Sequence, residues 1–321
     1  MNIEELERLA RHRGVDRLAI ASTADVDRQL PADLRLSLIS AQMTRVLVLA
    51  RHMPKGVMWA RHAGTKQYAA ARSLKMLGEA AVHLAAAIEA SGAQAMPLAP
   101  VAIDFGSRGA GELAPAGQGP LAARVAAVQA GLGTLGLNTM VLTPDFGPRV
   151  HFAALLTDLA LPAGTPLATE LCLGLEACGR CAAICPQQAI PLRAPQGAPL
   201  AATRGLDAAA CLRGTQPFGA DAFVGYLSTL FASPDRDAVN KLIRHRSTGE
   251  LWQEATFLKE GAYTACMRCE DVCPVGADYA VISRSPHRQA DLPDGVRHRV
   301  AAGVVTIEPA QPPFTEGVHH A

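Results

Sequence analysis

The sequence predicts an α/β (α+β) fold in two parts, on three observations. Helical and extended patterns alternate through the first half of the chain, all eight cysteines fall in the second half, and the last stretch has little periodicity. These shifts divide the chain into an α/β domain at 1–165, a cysteine-bearing domain with a helical insertion at 166–285, and an irregular tail at 286–321.

The elements follow in order. IEELERLARHR reads as a charged helix, and the apolar runs DRLAIAS and TRVLVLA read as strands. Residues 66–90 are Ala-rich, with strong helix propensity, and stop at Ser91 and Gly92. AQAMPLAPVAI reads as a further strand. Residues 105–119, rich in Gly, Ala and Pro and without periodicity, read as a long loop, which in a compact domain is usually functional. Then come a short helix (LAARVAAVQA), a glycine-rich turn (GLGTLG), and two strands, TMVLT and RVHFAALL, joined around Pro144 and Pro148.

Lys and Arg total 30 against 29 Asp and Glu, so no global field draws the chain to nucleic acid or to a membrane surface. The opening residues lack the apolar core of a signal peptide, and no run approaches the roughly 18 apolar residues of a membrane span. The expectation is a cytoplasmic protein. In a reducing compartment, clustered thiols point to metal and not to disulfides.

CLGLEACGRCAAICP holds Cys172, Cys178, Cys181 and Cys185, the last three spaced Cys-x-x-Cys-x-x-x-Cys-Pro, and CMRCEDVCP repeats that spacing with Cys266, Cys269 and Cys273. Two-cluster ferredoxins use such runs because a short turn aims successive thiolates at one cubane while the Cys before Pro reaches its neighbour. Two [4Fe-4S] clusters need eight thiolates, and Cys172 and Cys211 complete the set. The crossover rule puts Cys172, Cys178, Cys181 and Cys273 on one cluster and Cys185, Cys211, Cys266 and Cys269 on the other. Structural zinc is the competing metal, but zinc sites seldom repeat a Cys-Pro ending. The pattern departs from the ferredoxin run at Leu175 and Tyr263, where a first Cys would stand.

Together with AGLGTLGLNTMVLTPDFGPRVHFAALLTDLAL and the LDAAAC around Cys211, these motifs resemble the superfamily of epoxyqueuosine reductases and corrinoid reductive dehalogenases. The resemblance implies a nitroreductase-like domain holding base-off cobalamin, followed by a ferredoxin-like domain that feeds it electrons. It further implies a small-molecule or modified-nucleoside substrate and an electron donor of the reduced ferredoxin or flavodoxin type. Gly131, Gly133 and Gly136 would let backbone amides approach the corrin, with Asn138 and Thr139 as hydrogen-bonding partners. Tight helix-to-strand packing and turn roles are the alternatives for the same residues. The Asp-x-His-x-x-Gly signature of His-ligated corrin proteins is absent from the sequence.

The family's proton-donating aspartate aligns with Gly117, so Asp104 and Tyr68 become the candidate donors. Asp104 reads otherwise as a turn or cap residue, and Tyr68 as a packed aromatic. Lys66 would either lower the phenol pKa or stand as a solvated helix charge. The resemblance also implies tRNA as a partner, and Lys241, Arg244, His245 and Arg246 form a small basic cluster. With charge otherwise balanced, that cluster reads as a solvated helix face, so tRNA is not the favoured partner.

Overall fold

The computed structural model describes residues 1–60, 63–98, 121–190, 206–207, 210–211, 220–246, 248–249, 266–279, 296–301 and 304–309. The first helix, α1 (Ile3–His12), is closed by a capping box: Asn2 accepts from the Glu5 amide at 2.9 Å, and Glu5 accepts from the Asn2 amide at 3.0 Å. There follow β1 (Arg17–Ser22), α2 (Thr23–Gln29), β2 (Arg45–His52), α3 (Ala63–Ala90), β3 (Ala95–Pro97), α4 (Leu121–Gln129), β4 (Thr134–Leu135), β5 (Val141–Leu142) and β6 (Val150–Thr157).

One four-stranded sheet, ordered β1-β2-β6-β3, organises this half. All three of its pairings are antiparallel, so the alternation of helices and strands produces the α+β form of the expected fold. Strand β2 shows why its sequence is almost unbroken in apolar residues. Leu47 and Leu49 pack with Leu6 of α1 and with Leu77, Leu84 and Ile88 of α3. Val46, Val48 and Ala50 pack on the opposite face with Val26 of α2 and Ala126 of α4. A strand covered on both faces has no solvent side to favour polar residues.

Two expectations are corrected here. The predicted strand TMVLT shortens to β5, which pairs only with β4. The tail expected to be irregular contains a hairpin of β7 (Val296–Ala301) and β8 (Val304–Pro309). Its β-branched residues suit a paired ladder even where no period-two pattern is visible.

The second half contributes short helical turns, α5 (Gly174–Ala177) and α6 (Arg180–Ile184), then helices at Ala220–Phe231 and Arg236–Ile243 and a turn at Arg268–Asp271. Among the described residues, no helix is long and apolar enough to cross a membrane.

Candidate metal centre

The repeated cysteine spacing folds into a repeated backbone. Gly179, directly after Cys178, has φ 59° and opens α6, while Met267, directly after Cys266, has φ 58° and opens the turn Arg268–Asp271. In both motifs this left-handed residue turns the chain between the first two thiols. Glycine adopts it freely; methionine does so at a cost of about 1 kcal/mol. Met267 is held there by burial among Met53, Met58 and Ala70.

Cys211 joins the motifs by a local cap. Asp207 accepts from the Ala210 amide at 2.8 Å through its carboxylate and from the Cys211 amide at 2.9 Å through its carbonyl, while its own amide donates to Ala189 O at 2.8 Å. The segment is thereby docked beside Cys185. The Ala189 amide also donates to Cys185 Sγ at 3.3 Å, a bond that disperses charge on a ligating sulfur.

Burial raises several of the thiols, and their thiol neighbours come from both motifs. Burial pushes Cys181 up to about 12, with Cys172, Cys273 and Cys178 adding repulsion. Burial pushes Cys211 up to about 11, and Cys185 is the first charged neighbour to add to it. Cys269 is raised well above the ordinary thiol value by burial, then by Cys266 and Cys211. Cys172, Cys178, Cys181 and Cys273 line one partly open cavity, walled also by Leu142 and Val275. Among the described residues, no three His, Cys, Asp or Glu side chains converge as a single-ion site. The raised thiols of Cys181, Cys211, Cys269 and Cys273 ionise readily only when a cation compensates them, and thiolate-ligated iron supplies that cation. The donor set fits thiolate-ligated iron.

The five residues expected to contact a corrin are turned inward. A Cβ on Gly131 would stand 2.4 Å from Thr165 O, and one on Gly133 would stand 2.1 Å from Leu142 O. Asn138 Oδ1 accepts from the Met140 amide at 3.3 Å, and the Thr139 carbonyl accepts from Arg124 Nη1 at 2.9 Å. Gly136 and Asn138 line the thiol cavity. These contacts give the five residues packing and turn roles in the cavity wall.

Lys66 is corrected on both of its expected roles. It is fully buried, with Nζ 2.8 and 2.7 Å from the two carboxylate oxygens of Asp271, between Cys269 and Cys273. Tyr68, two residues on, is 46% exposed, with the Arg72 guanidinium 5.4 Å from its ring centroid. Two residues along a helix differ by about 200°, so Lys66 serves the cysteine loop and not the phenol. Asp104 and the loop 105–119 lie outside the described residues. Lys241, Arg244, His245 and Arg246 are all exposed around the end of Arg236–Ile243, in keeping with a solvated face.

Sequence reasoning missed Arg149 and Asp278. Arg149 is fully buried, with Nη2 2.9 Å from Asp278 Oδ1. Its only signal was a lone cation at the head of an apolar strand.

No family model matches the chain. The tetrachloroethene reductive dehalogenase of Desulfitobacterium hafniense is 44% identical over 64 residues, which is 20% of this chain and 12% of that protein. Among solved structures, the catabolic reductive dehalogenase NpRdhA aligns over 99% of this chain and 42% of its own, with TM-score 0.50 and 16% identity. The chain shares its fold with the reductive dehalogenases. The epoxyqueuosine reductase of Bacillus subtilis aligns over 85% of this chain and 65% of its own, with TM-score 0.48 and 18% identity. These relatives are reductases, and the chain spans only part of each. Within the shared fold, the thiol groups and the residues that clamp them are this chain's best-defined chemistry.

Proposed function

We propose that the chain is an iron-sulfur oxidoreductase in which a nitroreductase-like domain at 1–165 is followed by a ferredoxin-like domain at 166–285 that holds two [4Fe-4S] clusters. The observation that supports this reading is that Cys273 of the second motif lines one cavity with Cys172, Cys178 and Cys181 of the first, while both motifs repeat the same left-handed turn. When bound, the clusters supply one-electron transfer between a ferredoxin- or flavodoxin-type donor and the reducible centre. The chain's own residues do the rest. Cys172, Cys178, Cys181 and Cys273 hold one cluster in the cavity beneath Leu142, and Cys185, Cys211, Cys266 and Cys269 hold the other. The Ala189 amide steadies Cys185, and Leu137 and Leu142 give the cavity an apolar wall. The resemblance supports cobalamin as the further cofactor, a small organic or modified-nucleoside substrate, and a cytoplasmic setting in which the thiols stay reduced.

The inward-turned loop at residues 131–139 favours a second reading: an electron carrier without a corrin. One preparation separates the two. Anaerobic reconstitution should give about eight irons and eight sulfides per chain with a broad charge-transfer band near roughly 400 nm; four irons, or zinc, would reject the two-cluster reading. Incubation with hydroxocobalamin and gel filtration should then leave base-off corrin bands on the protein. Their absence would favour the carrier.

A further inference from the structure

The two cysteine motifs are anchored unequally. Arg149, directly before β6, directs its whole guanidinium to the second motif. Nε donates to both oxygens of Asp278 at 3.2 Å, Nη1 donates to the carbonyls of Glu270 at 3.0 Å and Cys273 at 3.2 Å, and Nη2 donates to Val275 O at 2.7 Å and Asp278 Oδ1 at 2.9 Å. The turn between β5 and β6 closes on the same loop. Ala277 N donates to Pro144 O at 3.1 Å and Asp278 N to Asp145 O at 3.3 Å. Backbone meets backbone there: a Cβ on Gly147 would stand 1.8 Å from Val275 O, and one on Gly276 would stand 2.3 Å from Gly147 N. Lys66 grips Asp271 from the other side. Among the described residues, the first motif meets the sheet half through the Leu171 amide, which donates to Thr134 Oγ1 at 2.9 Å, and through apolar contact with Leu137.

We propose that Arg149 is a positioning residue that templates the loop 266–278 on the sheet domain, so that Cys266, Cys269 and Cys273 stand in ligand geometry before iron arrives. The inference deepens the two-cluster reading and rests on it. Because Cys273 belongs to one thiol group and Cys266 and Cys269 to the other, one guanidinium serves both. Only arginine fits the task. Its planar fork reaches three carbonyls and a carboxylate at once, whereas an ammonium has three donors radiating from one atom. The carbonyl ring needs a cation, and Asp278 balances its charge.

The test uses the full-length chain. In cluster-free wild-type protein, amide hydrogen exchange across 266–279 should be at least about a hundredfold slower than across 172–185, which takes its shape on loading. Arg149→Lys keeps the charge beside Asp278 and should erase that difference while leaving β2 and β6 protected. On anaerobic reconstitution it should acquire both clusters at least about tenfold more slowly, both low-temperature EPR signals falling together. Equal exchange in the two motifs of the wild-type protein would overturn the proposal without any variant. So would wild-type loading by folded Arg149→Lys. A wild-type chain that binds no iron would reject the two-cluster reading instead, while the exchange comparison still judges the template.

Discussion

His151 lies on β6 opposite Arg51 of β2, and its Nδ1 is shut off from water with no hydrogen-bond partner among the described residues. Burial pulls its pKa down from 6.5 to about 4. A depressed histidine stabilises the fold in full above its unfolded pKa and loses that contribution as pH falls through the folded one. The cluster-free protein should therefore lose up to about 3 kcal/mol between roughly pH 6.5 and pH 4 at this residue. Urea midpoints across that range should fall steeply in wild type and less steeply in His151→Phe; parallel slopes would refute the assignment. The proton donor is argued at the same scale. Asp104 and Tyr68 are our proposed donors, and loss of a true donor lowers turnover by about a hundredfold or more while cofactors stay bound. Asp104→Asn and Tyr68→Phe test each in turn once a substrate is found. Near-normal turnover in both would move the search to residues 105–119.

At the scale of elements, the capped turn at Asp207 governs Cys211, the proposed ligand that lies farthest along the chain from both motifs. Asp207→Ala removes the side-chain cap at a cost of about 1 kcal/mol and loosens Cys211 from Cys185. The EPR signal of one cluster should broaden or convert while the other stays unchanged, and Cys211→Ser should act on the same signal. Two intact signals in both variants would remove Cys211 from the ligand set. The left-handed residues are also elemental devices. Gly179 and Met267 hold the same φ in two copies of one spacing, a repetition legible in the cysteines themselves. That methionine fills the second copy was not legible, because its anchor is a pocket built by Met53 and Met58, far away in sequence.

Across the whole molecule, the two thiol groups adjoin. Cys269 has Cys181 of the other group among its charged neighbours, so electrons on the two clusters should interact. Full reduction with dithionite should give a broadened, spin-coupled EPR spectrum, and a simple sum of two isolated signals would contradict the adjacency. In the proposed two-cluster arrangement the same closeness lets a clamp on one loop bear on both groups, since each would take ligands from 266–273.

By itself the sequence determined the repeated cysteine spacing and most helices and strands, because spacing, periodicity and propensity are local properties carried by neighbouring residues. The tertiary structure alone decided the antiparallel order of the sheet, the inward turn of the glycine loop, the hairpin in the tail and the burial of Lys66. Lys66 meets Asp271 across 205 residues of chain, and Arg149 meets Asp278 across 129. A cation on a helix or strand carries no local mark of whether water or a distant carboxylate will receive it; only the closure of the fold, which excludes the water, makes that choice.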